Sequence, residues 1–170
     1  MADRTASAVW QGDLFSGSGT VSATTTGLFT DAGATRVIDF TDFGFPSTFR
    51  LAHAQVRTLL ASMIEELSTP GTDVVVIEIA DGVYQEETAR LLEDPLFADL
   101  VDHVVFAAAD ALGAAAGVDL LQRAGHRIAA CSGVLTASPL AAREAGRVLD
   151  VPVVDTFDLT DPRVARRLLA

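Results

Sequence analysis

From residue 31 onward the sequence alternates short apolar, β-branched runs with stretches of helical periodicity, and this restricts the accessible folds more than any other feature. The apolar runs are 36–40, 73–79, 103–108, 127–131 and 151–154, each bounded by polar or turn residues. Runs this short and this uniformly apolar suit strands buried on both faces, as in a parallel sheet. Between them lie helix-length segments. Residues 51–67 place Leu51, Val56, Leu59, Leu60, Met63 and Leu67 at mixed three and four spacing, with Ser47 or Thr48 as the expected cap and Pro70-Gly71 as the stop. Asp110 opens a second helix that ends before Gly125, Ser138-Pro139 opens a third over 140–149, and Asp161-Pro162 repeats that signature for a last one. Strand and helix in strict alternation predict an α/β fold: a three-layer, Rossmann-like, mostly parallel sheet of about five strands.

The first 30 residues differ in character. Residues 8–10 and 17–27 alternate polar and apolar side chains around a Gly-Ser turn at 16–19, which predicts an N-terminal β-hairpin. The expected organisation is a hairpin leader over 1–30 and an α/β domain over 31–170.

Composition excludes several function classes. With 49% hydrophobic residues among 170, the chain can bury a substantial core. Twelve basic residues against 23 acidic give a net charge of -11, a field that repels nucleic acid and anionic membrane surfaces. All twelve basic residues are arginine, so a Schiff-base lysine, a phosphate-loop lysine and a lysine general base are all excluded. Cys131 is the single cysteine, which rules out an intramolecular disulfide, a dithiol redox pair and a cysteine-rich zinc site. The first ten residues lack an apolar signal core and no run is long enough to span a bilayer, so a soluble, cytoplasmic protein is expected.

In an open parallel sheet ligands bind beyond the carboxyl ends of the strands. The first expected strand runs into Asp39 and Asp42, the second into Glu78 and Asp81, the third into Asp110, and the fourth into Ser132, Gly133 and Thr136. Carboxylates gathered at one sheet edge are oxygen ligands for a hard cation such as Mg²⁺, so Asp39, Asp42, Glu78 and Asp81 are candidate metal ligands; helix capping is the competing role. Ser47 and Thr48, in the loop before the first helix, and Ser132 and Thr136 are candidate ligand-binding hydroxyls at sites where a helix N-terminus favours an anion. Gly17-Ser18-Gly19-Thr20 has no lysine, no preceding apolar strand and no following helix, so it is not a phosphate loop. His53, His103 and His126 lack metal-ligand spacing, and Cys131, ending an apolar run, reads as a small buried hydrophobe.

Two resemblances follow from these segments. The strings DAGATRVIDFTDFGFPSTFR, VVVIEIADGVYQEETARLL and VVFAAADALGAAAGVDLLQRAGHRIAACSGVLTASPLAARE resemble the later part of P-loop proteins of the dethiobiotin synthetase-like group. That resemblance implies a P-loop-like sheet binding ATP and Mg²⁺, with Asp39, Asp42, Glu78 and Asp81 near metal and phosphates; the glycine-rich Walker A segment and its lysine have no counterpart here. Residues 5–28, with ASAVWQGDLFSGSGTVS, resemble the opening hairpin of OsmC-type hydroperoxide-resistance proteins, which use a pair of cysteines. The expected function is a degenerate P-loop-like domain that binds a nucleotide or other phosphorylated ligand with Mg²⁺ and has weak or no NTPase activity. The alternatives are a non-catalytic interaction or regulatory module that forms a homo-oligomer or takes a missing segment from a partner, and an OsmC-like peroxide reductase.

Overall fold

A computed structural model describes residues 8–9, 20–21, 29–30, 33–80 and 82–169, and the chain divides into two compact units, Met1–Ile79 and Ala80–Ala170.

In the first unit β1 (Ala8–Val9) pairs antiparallel with β2 (Thr20–Val21), Ala8 opposite Val21 and Val9 opposite Thr20. The turn expected at 16–19 lies outside the described residues. Helix α1 (His53–Leu67) buries Val56, Leu59 and Leu60, the i, i+3, i+4 stripe of an amphipathic helix. Its cap is not Ser47 or Thr48: Ala52 occupies the N-cap, and the Gln55 side chain reaches back to accept from the Ala52 N–H at 3.1 Å. The helix stops at Ser68, and the Thr72 hydroxyl satisfies the Leu67 carbonyl at 2.8 Å.

The second unit carries the larger set of elements. Helices α2 (Glu86–Leu92) and α3 (Pro95–Leu100) start at side-chain caps, Gln85 accepting from the Thr88 N–H and Asp94 from the Leu96 N–H, both at 2.8 Å. Strand β3 (Val104–Ala107) leads into α4 (Ala111–Arg123), capped by Asp110 at 2.7 Å from the Gly113 N–H, and then into β4 (Ile128–Ser132). A 3₁₀ turn (Val134–Ala137), α5 (Pro139–Val148), a second 3₁₀ turn (Asp158–Thr160) and α6 (Pro162–Leu168) complete it. Strand β3 pairs parallel with β4, and Val153 extends the pairing on the far side of β4: the Cys131 N–H donates to Pro152 O and the Val154 N–H to Cys131 O, each at 2.9 Å.

Small residues set the packing of α4 on this sheet. A Cβ on Gly117 would lie 2.2 Å from Cζ of Phe106, so only glycine lets the ring sit against the helix. Ala114, Val118, Leu121, Ala130, Leu135 and Ala145 are buried around it. His126 is buried with its Nε2 at 2.6 Å from the Leu92 carbonyl, which only accepts, so Nε2 carries the proton. Its ring packs nearly perpendicular to Phe97, with 5.1 Å between centroids.

The expected five-stranded, three-layer α/β sheet does not form, and with it falls the expectation of a P-loop-like, nucleotide-binding fold. Among the described residues there are six helices and two sheets of two strands each, one antiparallel and one parallel. The first expected strand, 36–40, is diverted by local polar groups: the Asp39 carboxylate accepts from the Thr41 N–H at 2.7 Å and Asp42 from the Asp39 N–H at 2.9 Å, closing turns through Gly44. Arg36 meanwhile donates to the Glu66 carbonyl at 2.9 Å and forms an ion pair with its carboxylate. The second expected strand, 73–79, forms no ladder within residues 74–77, and the fifth, 151–154, is reduced to the single bridge at Val153. A β-prone segment becomes a strand only beside a strand, because β propensity measures fit to neighbours. No helix among the described residues is long and apolar enough to cross a membrane.

Candidate functional site at the carboxyl ends of the parallel segments

The carboxyl ends of β3, β4 and the Val153 bridge bring three hydroxyl side chains together. Ser132 is the last residue of β4 and is buried. Gly133 follows at φ 97° and ψ -162°, a conformation suited to glycine, and a Cβ there would lie 2.9 Å from both N and O of Ala108. That close approach locks the turn to the end of β3: the Ala108 N–H donates to Ser132 O at 2.9 Å and the Leu135 N–H to Ala108 O at 3.0 Å. The 3₁₀ turn then aims Thr136 back, so that its hydroxyl donates to Gly133 O at 2.8 Å.

Thr156, beyond Val153, completes the group. Its Oγ1 lies 3.3 Å from Gly133 O, 3.2 Å from Oγ1 of Thr136 and 3.4 Å from Oγ of Ser132, while its N–H donates to Thr136 Oγ1 at 3.3 Å. Both threonine hydroxyls reach the same carbonyl, and the contacts between the hydroxyls can run in either direction, so the cluster can present a donor or an acceptor to a ligand. Leu112, Val134 and Phe157, each a few residues past a carboxyl end, are large apolar side chains left exposed to solvent. Polar groups of fixed direction bordered by apolar surface are the usual elements of a small-molecule site.

Of the hydroxyls expected from sequence, Ser132 and Thr136 belong to this cluster, and Thr156 was not anticipated. Its signal was available: it follows the last apolar run as Ser132 follows the fourth. Ser47 and Thr48 lie in the first unit and hold a turn, Ser47 Oγ accepting from the Phe49 N–H at 3.0 Å and Thr48 O from the Leu51 N–H at 3.2 Å.

The described candidate metal ligands, Asp39, Asp42 and Glu78, form no three-carboxylate cluster. Asp39 and Asp42 spend their carboxylates on their own turn, Glu78 is exposed, and Asp81 lies outside the described residues. Among the described residues no group of three or more His, Cys, Asp or Glu side chains is placed to hold a metal ion. Asp110, at the end of β3, serves as the α4 cap.

Burial pushes the Cys131 thiol pKa up, against a smaller downward pull from the Ser132 backbone, so the sulfur stays a protonated, buried hydrophobe. A peroxide-reducing thiolate is not what that setting favours. No family model, curated protein or solved structure matches the chain.

Proposed function

We propose that the second unit binds a small ligand at the carboxyl ends of β3, β4 and the Val153 segment, a nucleotide or related phosphorylated compound held by its sugar or base, with weak or no NTP hydrolysis. The observation that carries this is the convergence of Thr136 and Thr156 on the Gly133 carbonyl, with Ser132 Oγ 3.4 Å from Thr156 Oγ1 and the exposed Val134 and Phe157 next in sequence to Gly133 and Thr156. Parallel strands leave their carboxyl ends as the place where loops form a binding crevice. Weak turnover is proposed because the sequence has no lysine to take the place of a phosphate-loop lysine.

The test is thermal unfolding with ATP, ADP or adenosine, because a ligand that binds only the folded state raises the midpoint. At a hundredfold excess over Kd the gain is about 2.7 kcal/mol. Adenosine is expected to match ATP, and Thr156→Val to abolish the shift while leaving the free protein's Tm nearly unchanged. No shift with any of the three, or an undiminished shift in Thr156→Val, overturns the proposal.

A second role is supported by a separate observation. Strand β3 has no second strand partner among the described residues, and an open sheet edge suits an oligomerisation module.

A further inference from the structure

The hydroxyl cluster of the second unit has an apolar counterpart. Val134 and Phe157 follow Gly133 and Thr156 in sequence, and Gly133 O lies 3.3 Å from Thr156 Oγ1, so a bond across the two loops holds their backbones together. Consecutive Cα atoms are about 3.8 Å apart, so each of these side chains starts one residue from the cluster. Val134 is 74% and Phe157 83% exposed. Exposed apolar side chains scattered singly are ordinary, but these two are tethered to one polar group. The Phe157 backbone is anchored on both sides: its N–H donates to the Asp155 carboxylate at 2.8 Å, and its carbonyl accepts from the Thr160 N–H at 3.1 Å. An aromatic ring left in water on an anchored backbone is a surface on which another planar ring can stack.

We infer that Phe157 selects the ligand by its base: a nucleobase stacks on the Phe157 ring with its edge toward the hydroxyls of Ser132, Thr136 and Thr156, and the sugar and phosphates stay in water. A base has apolar faces and a rim of donors and acceptors, and hydroxyls that can run in either direction meet both kinds of group. A sugar phosphate offers no face to the ring, and a net charge of -11 gives its phosphate no long-range attraction. The inference rests on the ligand reading of this site and narrows it, since that reading leaves sugar and base as alternatives.

Titration calorimetry of the full chain with adenosine and with ribose 5-phosphate tests it. Phe157→Ala is expected to weaken adenosine binding about tenfold or more, as the loss of one base–aromatic stack does, and to leave the Tm of the free protein unchanged because the ring is exposed. Phe157→Trp is expected to restore the affinity, with an indole fluorescence that adenosine quenches beyond any change in the wild type, whose single tryptophan is Trp10. Ribose 5-phosphate is expected to give no binding heat at concentrations where adenosine saturates. Equal adenosine affinity in Phe157→Ala and wild type, or ribose 5-phosphate binding as tight as that of adenosine, overturns the inference; if Thr156→Val still abolishes binding, the ligand reading stands without it. No binding of ATP, ADP or adenosine to the wild type overturns both. A wild-type dimer in light scattering that Phe157→Ala turns into a monomer, with adenosine without effect on either, would assign the ring to a second copy of the chain and overturn the inference as well.

Discussion

Gly133→Ala is the substitution whose cost the structure specifies most closely. Gly133 sits at φ 97° and ψ -162°, and a non-glycine residue held in so sparsely populated a conformation costs about 1–3 kcal/mol. The new Cβ would also lie 2.9 Å from backbone N and O of Ala108, atoms tied into the β3–β4 ladder, and overpacking of that kind costs a further ~1–3 kcal/mol. Reduced freedom of the unfolded chain returns about 0.4–1 kcal/mol. Gly125→Ala provides the control: its φ is 91°, nothing lies within 4 Å of the added Cβ, and only the conformational cost remains. Gly133→Ala is therefore expected to lose about 1–3 kcal/mol more than Gly125→Ala, a difference of roughly 1 M in urea midpoint at an m-value of about 1–3 kcal/mol/M. The assay is urea unfolding followed by far-UV circular dichroism, since the single tryptophan, Trp10, belongs to the first unit. Equal losses in the two variants would refute the close approach of Gly133 to Ala108.

The same unit supports further expectations. Leu135 is 1% exposed, so Leu135→Ala is expected to cost about 2–5 kcal/mol and to lower Tm by roughly 5–15 °C in calorimetry. Asp161 has its pKa pulled down, chiefly by the Arg163 side chain and then by the Arg163 N–H it caps. Its contribution is therefore present above the usual carboxylate value and lost as pH falls through the lowered one, and Asp161→Asn should flatten the acid limb of α6 helicity; a limb identical to wild type contradicts this. Cys131 should react with an aromatic disulfide reagent orders of magnitude more slowly in the folded protein than in urea, because the thiol is buried and protonated; comparable rates would place it at the surface.

How far the sequence disclosed the fold depended on whether the signal was local. The caps at Asp110, Ser138-Pro139 and Asp161-Pro162 are complete within four residues, and each opens a helix in the structure. Asp94-Pro95 carries the same signature and opens α3, which periodicity did not reveal because the helix is only six residues long. Strands depend on distant neighbours. The runs at 103–108 and 127–131 find one another as β3 and β4, whereas 36–40, apolar enough to be a strand, is captured by the Asp39 and Asp42 turns inside it. The site was legible in the same measure. Ser132 and Thr136 were marked by their place at a strand end, and Thr156, just past the last apolar run, carries the same signal, with the Val153 bridge bringing it to them. Asp39, Asp42 and Glu78 read as one metal edge only if a five-stranded sheet aligns them, and that sheet does not form among the described residues.

Hydrogen exchange with mass spectrometry, in the presence and absence of adenosine, tests the central claim most directly, because it locates binding on the chain. Ligand seated on the hydroxyl cluster is expected to slow exchange across 132–136 and 156–157 and to leave α1 unaffected. Unchanged exchange in those two stretches, or protection confined to the first unit, would contradict it.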